Sequence, residues 1–279
     1  MFHVITSRLA PRPLQEMPKV KEILTDFLNC RFSEVPISIL APVPPYHKWF
    51  TVDDRHHHLG SFKACILNKT DDRPCRPLLT RACRNASIVA FKTIRMTLRM
   101  TEDILDKNPD LNILHLVRDP RGAMWSNFNA FLRGQNSWEN TVAAFKKTTD
   151  EHCQNLTDNI KTRLELEGRF PGRIIDIRYE DTVKNPLREA VNLYQFLRQP
   201  MPEVLKEWVI NSTTARYDNG WYGTSRSRPI HTAYQWIHTM DRWALEIVEK
   251  ACSHGMQHFR YIPFANLTVK YDELLSQLE

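Results

Sequence analysis

The segment ILHLVRDPRGAMWS joins an apolar run to an arginine, a helix start and a hydroxyl group. The run 113–117 is short, aliphatic and bounded by polar residues, which predicts a buried strand that ends at Val117. Arg118 then lies at the carboxyl edge of the strand, where open α/β sheets bind ligands. Asp119 and Pro120 suit the N-cap and the first position of a helix whose early turns carry Ser126.

These residue types can hold one phosphate group from two sides. Arg118 offers planar, charge-assisted donors, Ser126 offers a hydroxyl, and the start of the helix adds its dipole. An ordinary Asp-Pro helix start beside a solvated arginine has the same local pattern. The segment alone therefore leaves both interpretations open.

The surrounding sequence predicts the elements that must position this segment. The runs SIVAF (87–91) and RIIDIRY (173–179) predict two further buried strands. Helical patterns separate and follow the strands: one begins after Ser137, and another begins at Asn185-Pro186. This alternation predicts an α/β fold, with a parallel sheet flanked by helices.

Length and composition limit the class of protein. The chain has 279 residues, of which 42% are hydrophobic and 25% charged, as expected for one globular unit with a sizeable core. With only 8 glycines, it contains neither of the common glycine-rich phosphate loops in its standard form. No apolar stretch approaches the roughly 20 residues that span a bilayer, and the first residues do not form a signal peptide.

The charge of the chain favours anionic partners. Lysine and arginine number 38 against 32 acidic residues, and the isoelectric point is about 9.0. A merely soluble basic surface is an equal alternative. The basic residues are dispersed without a nucleic-acid motif, so we expect no nucleic-acid partner. Adjacent histidines at 56–58 cannot all face one ion, so we expect a solvated loop there and no metal site.

Cysteines and glycosylation sequons both bear on the compartment. An even number of cysteines suits disulfides in an oxidising compartment, although six free thiols in a cytosolic protein are an alternative. The six cysteines are Cys30, Cys65, Cys75, Cys83, Cys153 and Cys252. Five Asn-x-Ser/Thr sequons exceed the roughly two expected by chance and favour the lumen of the secretory pathway. Their acceptor residues are Asn68, Asn85, Asn155, Asn211 and Asn266.

Four blocks, in order and with compatible spacing, resemble a known family. The blocks are AFKTIR (90–95), VRDPRGAMWS (117–126), RYEDTVKNPLREAVNLYQFL (178–197) and TSRSRP (224–229), the last followed by Trp236. Together they are similar to Golgi carbohydrate sulfotransferases, especially the branch that sulfates the 6-hydroxyl of Gal, GalNAc or GlcNAc. Four ordered blocks are far more specific than one.

The resemblance implies a P-loop-NTPase-like sulfotransferase fold and 3′-phosphoadenosine 5′-phosphosulfate (PAPS) as the sulfate donor, without a metal. By position, Arg118 and Ser126 would hold the 3′-phosphate, and Arg226 would approach the nucleotide from a C-terminal loop. The partner would be an acidic or sulfated glycan acceptor, and the location the Golgi lumen.

Other residues of the matching blocks have weaker assignments. Lys92 and Arg95 follow a predicted strand and either face the donor or the glycan, or act as surface charge. Glu180 and Asp181 are expected to fix local structure, by capping a turn or by pairing with Arg178.

The beginning of the chain departs from the family pattern. The membrane anchor, the first strand, the Arg-x-Gly-Ser-Ser-like loop for the 5′-phosphosulfate and the family's catalytic glutamate have no counterpart, and MFHV resembles the residues just after them. We therefore expect residues 1–279 to form a single sulfotransferase domain that is N-terminally incomplete. Its first strand and loop would be missing, and it would reach a membrane only through a missing anchor. No catalytic residue is assigned.

Two alternatives to a fragment of an active enzyme stay open. The chain is then a genuine variant that lacks activity, or a non-catalytic binding protein for acidic glycans in the secretory pathway. Loss of the phosphosulfate loop matters because sulfuryl transfer, like phosphoryl transfer, depends on positioning and charge stabilisation.

Overall fold

The computed structural model describes residues 2–6, 17–35, 40, 60–67, 71–90, 92–93, 96–134, 137–218 and 225–264, with the backbone alone at 2–6, 17–20 and 63. The strands are β1 (Phe2–Thr6), β2 (Lys92–Thr93), β3 (Asn112–Val117) and β4 (Ile174–Arg178). The helices up to β4 are α1 (Met17–Leu28), α2 (Gly60–Leu67), α3 (Arg76–Asn85), α4 (Glu102–Lys107), α5 (Pro120–Asn127) and α6 (Trp138–Arg169). The later helices are α7 (Tyr179–Lys184), α8 (Pro186–Phe196), α9 (Glu203–Thr213), α10 (Pro229–Tyr234), α11 (Trp236–Thr239), α12 (Arg242–Ala251) and α13 (Ser253–His258).

The strands form one sheet in the order β2-β1-β3-β4. The pairs β1–β2 and β3–β4 are both parallel, and Val117 at the end of β3 is in register with Arg178 at the end of β4. Both predicted strands at 113–117 and 173–179 are confirmed. The fold is the predicted helix-flanked parallel sheet, and residues that follow β3 and β4 emerge side by side at one edge.

Two predictions about strands need correction. The predicted strand at 87–91 is wrong: residues 87–90 are irregular, and the strand lies at Lys92–Thr93. Ile88 and Val89 are only partly buried, and Val89 packs against the core of the unit that carries α1–α3. The sequence pattern also gave no sign of a strand at 2–6, but β1 lies there, between β2 and β3. Any loop at 7–16 lies outside the described residues.

Several helix limits follow the sequence signals. Ser137 is the N-cap of the long helix α6, and Pro186 is the first residue of α8. A 3₁₀ turn at Leu98–Thr101 directly precedes the short helix α4. Helix α6 ends at Arg169, and Gly172, three residues later, has a positive φ of 69° that favours glycine.

Contacts divide the chain into two compact units. The cysteine-rich unit comprises Met1–His3, Arg12–Phe91 and Asp103–Leu111, and the sheet unit comprises Val4–Pro11, Lys92–Glu102 and Asn112–Glu279. The sheet unit has a large core that joins β3 and α5 to the helices near the C-terminus, and its members include Val117, Met124, Phe145 and Trp236. This core fixes the turn between β3 and α5.

All six cysteines form disulfides, each within one unit. Cys30–Cys83 and Cys65–Cys75 tie the cysteine-rich unit around a small core, and Cys153–Cys252 ties α6 to the end of α12 in the sheet unit. This pairing, which the sequence left open, is the arrangement expected in an oxidising compartment. Among the helices of the described residues, none is both long and apolar enough to cross a membrane.

Candidate functional site

Asp119 organises the turn between β3 and α5. Its carboxylate accepts a hydrogen bond from the backbone N–H of Arg121 at 2.9 Å, as an N-cap does, and Pro120 begins the helix. Its own backbone N–H donates to Oε1 of Glu180 at 3.0 Å. Asp119 is buried, so the strand-to-helix turn predicted from Asp-Pro is confirmed and is held from two sides.

Arg118 lies at the carboxyl end of β3 and is only partly buried. Its guanidinium carbon stands 4.9 Å from the centre of the Tyr179 ring, because Tyr179 follows β4 just as Arg118 follows β3. Its Nε is buried and donates to no acceptor among the described residues. A buried guanidinium N–H without an acceptor costs free energy, and an anionic ligand at this position would remove that cost.

Ser126 lies on the face of α5 along which the Arg118 side chain extends. A Cβ placed on Gly122 would lie 3.5 Å from Nε of Arg118, so the arginine runs along the first turn of the helix. Ser126 follows Gly122 by four residues, and residues four apart share a helix face. The half-buried Ser126 hydroxyl forms no hydrogen bond to the described residues. The guanidinium, the hydroxyl and the N-terminal turn of α5 thus share a face that suits a phosphate.

Arg121 has a different role from Arg118, although both belong to the Arg-Asp-Pro-Arg run. Its side chain is 2% exposed, and its guanidinium carbon lies 4.6 Å from the centre of the Trp236 ring and 4.4 Å from the centre of the Phe264 ring. It donates to Asp119 at 2.8 Å and to Glu249 at 2.6 Å. Burial lowers the pKa of Arg121, but the two carboxylates outweigh burial and raise the pKa above its ordinary value. Arg121 is therefore part of the framework.

Glu180 links the turn to the C-terminal segment. It is buried, and its second carboxylate oxygen accepts a hydrogen bond from the hydroxyl of Tyr261 at 2.8 Å. Burial and the nearby charge of Asp119 raise the pKa of Glu180. Asp181 lies 3.6 Å from Arg178, an ion-pair distance. Both acidic residues hold local structure here, as the sequence predicts.

The other predicted residues lie elsewhere or outside the described part. Arg226 follows α9: its backbone N–H donates to Ser212 at 2.8 Å, and its carbonyl accepts from Ala215 at 3.2 Å. These contacts place Arg226 at the end of α9, and its role toward a nucleotide stays a prediction. Lys92 is exposed on β2, and Arg95 lies outside the described residues, as does the histidine run 56–58.

Sequence reasoning missed the partners that hold Arg121. Glu249 is 128 residues away from Arg121 in the chain, and Trp236 and Phe264 are similarly distant. No local spacing in the sequence therefore indicates these contacts. One signal was available for Asp119: an acidic N-cap two residues before an arginine can bond both its backbone and its side chain. The tertiary structure brings the rest together.

Comparison with solved structures identifies the fold. A sulfotransferase domain from the curacin biosynthetic pathway superimposes with a TM-score of 0.50 and 15% identity, over 93% of this chain and 97% of that one. At this identity the likeness concerns the fold alone. The α/β arrangement is therefore that of a sulfotransferase.

Comparison with known sequences gives the family. A sequence model of the sulfotransferase family matches residues 8–203, well over half of the chain. The chain belongs to the sulfotransferase family, and the resemblance to carbohydrate sulfotransferases is confirmed. Human carbohydrate sulfotransferase 3 is 28% identical over 68% of this chain and 43% of its own length. Zebrafish (Danio rerio) carbohydrate sulfotransferase 1 is 27% identical over 93% of this chain and 68% of its own. The chain spans about half the length of the first curated relatives it matches, with 43% of the human protein and 49% of rat carbohydrate sulfotransferase 1.

Proposed function

We propose that this protein is a carbohydrate sulfotransferase of the 6-O branch, which transfers sulfate from PAPS to a hydroxyl of a sugar in a glycosaminoglycan or related glycan. The single observation that carries the proposal is the state of Arg118. Its Nε is buried without an acceptor at the carboxyl edge of the sheet, on the face of α5 that holds Ser126. A phosphate group supplies acceptors of the required charge at that position.

PAPS, when bound, supplies the sulfuryl group and a 3′-phosphate as a handle. Arg118 and Ser126 would hold this 3′-phosphate, and the Tyr179 ring lies 4.9 Å from the guanidinium carbon of Arg118 on one side. Asp119, Arg121 and Glu180 keep the turn rigid, so that the donors are already oriented before a ligand binds. The residue that accepts the proton of the sugar hydroxyl is not assigned.

A titration with adenosine 3′,5′-bisphosphate tests the 3′-phosphate site. We expect Arg118→Ala to weaken binding by at least about a hundredfold, because up to two charge-assisted hydrogen bonds are lost. Ser126→Ala should weaken binding about tenfold, since one neutral donor is lost. Arg188→Ala is the matched control, because Arg188 is exposed on α8 and pairs with the adjacent Glu189. Wild-type affinity in the Arg118→Ala variant would refute the site.

Sulfate transfer is tested with the protein expressed from its complete gene. Chondroitin and keratan are the acceptors, labelled PAPS is the donor, and sugar analysis locates the added sulfate. The 6-O assignment predicts label at a 6-hydroxyl. Absence of transfer to either polymer, with adenosine bisphosphate binding intact, would contradict the enzymatic proposal.

The proposed location is the Golgi lumen, with the protein held as a type II membrane protein. Three disulfides support a secretory compartment. The sequon at Asn211 is exposed and is therefore available for glycosylation. The competing proposal, a non-catalytic binder of acidic glycans, predicts polysaccharide binding without any affinity for adenosine bisphosphate.

A further inference from the structure

A cleft of about 710 Å³ lies on the surface of the cysteine-rich unit, along one face of α3. Ser33 and Glu34 line one side, and the segment 73–85 lines the other. Four of its lining residues are arginines: Arg73, Arg76, Arg81 and Arg84. The volume lies in the range of ordinary ligand pockets, so the cleft is large enough for a charged sugar unit.

The amphipathic pattern of α3 places two of these arginines, Arg81 and Arg84, on one side of the helix. Leu79 is buried in the small core of the unit, and Cys83, four residues later, packs against the same core. Residues three to four apart share a helix face, so Arg81 and Arg84 belong to the opposite, exposed face. The arrangement follows from helix geometry.

Two of the arginines already have protein partners. Arg76 donates to the backbone carbonyls of Phe32, at 2.6 Å, and Val35, at 2.9 Å, and it also pairs with Asp72. Arg73 pairs with Asp71 at 3.0 Å. These contacts fix one end of the cleft wall.

The other two arginines are available. Arg81 and Arg84 are exposed, and neither pairs with a carboxylate of the described residues. Glu34, also exposed, is the one acidic residue among those that line the cleft. The positive charge of the lining thus exceeds the negative charge, and a concave basic surface concentrates anions.

Disulfides hold the arginine face in place. Cys75, directly before α3, is bonded to Cys65 on α2, and Cys83 near the end of α3 is bonded to Cys30 after α1. Both ends of the helix are therefore fixed to neighbouring segments of the same unit. The backbone that carries Arg81 and Arg84 is therefore already in place, and binding a ligand has to order only their side chains.

We propose that this arginine cleft binds the sulfate or carboxylate groups of an acidic polysaccharide through Arg81 and Arg84. Guanidinium groups match both anions with paired, charge-assisted hydrogen bonds. The cleft is open, which suits a segment of a long chain. The choice of a polysaccharide over another polyanion rests on the proposed function, since that function requires a glycan acceptor.

Chondroitin sulfate and unsulfated hyaluronan are the probes, titrated against the full chain. The protein is produced in a bacterial periplasm, where disulfides form and no glycan is added to Asn85, which also lines the cleft. We expect Arg81→Gln/Arg84→Gln to weaken binding of chondroitin sulfate at least about tenfold. If the double variant also loses binding of hyaluronan, the cleft binds carboxylates as well as sulfates. If the double variant binds hyaluronan as the wild type does, the cleft binds sulfates.

The matched control is Lys147→Gln/Lys161→Gln, which removes the same charge from exposed positions of α6. This control should bind as the wild type does. Glu34→Gln should strengthen binding, because it removes the negative charge from the lining. A thermal melt confirms that each variant folds.

Equal loss in the double variant and in the control would overturn the proposal, as would unchanged affinity in the double variant. Binding to phosphatidylserine vesicles, lost in the double variant and without any binding to either polysaccharide, would overturn it as well. Adenosine 3′,5′-bisphosphate binding is measured on the same proteins. If the protein does not bind adenosine 3′,5′-bisphosphate, the sulfotransferase proposal is contradicted. The polysaccharide-binding result for the cleft does not depend on that measurement.

Discussion

Arginines occur in two regions of this protein under opposite conditions. In the turn between β3 and α5, Arg121 is buried against two aromatic rings and pairs with two carboxylates. On α3, Arg81 and Arg84 are exposed and have no carboxylate partner among the described residues. Arg118 stands between these extremes, because it is half-buried and its Nε has no acceptor in the part of the chain that the structure describes.

The comparison teaches how burial separates structural arginines from ligand-binding ones. A buried arginine with complete partners stabilises the fold and has no donors left for a ligand. An exposed arginine attracts an anionic ligand through its charge, and dissolved salt weakens this attraction by screening. A half-buried arginine with a free, oriented donor recognises geometry as well as charge, which is what a specific nucleotide site requires.

Replacement of Arg121 tests the structural side of this comparison. We expect Arg121→Met to reduce the free energy of unfolding by about 3–5 kcal/mol, because Asp119 and Glu249 would be left as uncompensated buried charges. Denaturation by urea measures the change. Arg81→Met on α3 is the control, and its unfolding midpoint should match that of the wild type. A similar loss for both variants would show that burial does not distinguish the two regions.

Gly122 tests how tightly the turn is packed. A Cβ at this position would lie 2.8 Å from Cδ1 of Trp236, which is itself held against Arg121 and Phe264. We expect Gly122→Ala to destabilise the protein, since overpacking costs about 1–3 kcal/mol and helix propensity returns at most about 1. Gly168→Ala on α6 is the matched control, because nothing lies within 4 Å of its Cβ. That control should be slightly stabilising, and equal effects would contradict the packing argument.

Glu180 gives the smallest effect and a pH signature. A glutamine at this position can accept the hydrogen bond from the backbone N–H of Asp119 and can still face the hydroxyl of Tyr261. At pH 7 the free energy of unfolding of Glu180→Gln should therefore differ from that of the wild type by only about 1 kcal/mol. Burial raises the pKa of Glu180 in the folded state, so the folded protein binds a proton more tightly than the unfolded chain. The wild type should therefore gain stability relative to the variant as pH falls from 7 toward the ordinary glutamate pKa. Urea titrations of both proteins between pH 5 and 8 measure this difference in the free energy of unfolding. A difference that stays constant with pH would show that folding does not raise the pKa of Glu180.

Much of the sheet unit could be predicted from sequence, because its signals are local. A β-branched run marks β4, Asp-Pro marks the start of α5, and Ser137 marks the start of α6. The error at 87–91 has a physical cause: an apolar run indicates burial but not the partner that buries it. Part of that run packs on the core of the cysteine-rich unit instead of joining the sheet. Strand β1 was missed because five residues near the start of the chain show no alternation of their own.

The candidate site divides in the same way. Arg118 and Ser126 could be found from their spacing, since a strand end and the helix directly after it determine where both residues lie. The predicted role of Arg226 and the single-domain interpretation of residues 1–279 stay predictions. The arginine cleft could not be predicted from the sequence, because its two walls come from a loop and a helix that lie about 40–50 residues apart in the chain. The Cys30–Cys83 disulfide joins these two segments.

The sequence by itself determined the family and the position of the candidate phosphate-binding segment, because ordered motifs and local helix and strand signals depend on neighbouring residues. Only the tertiary structure decided which arginine of the Arg-Asp-Pro-Arg run is available to a ligand. Arg121 contacts Glu249 and the ring of Phe264 across long stretches of chain, whereas Arg118 contacts the ring of Tyr179 and has no acceptor for its Nε among the residues that the structure describes. Burial and pairing depend on distant residues, and those distances are set when the chain folds.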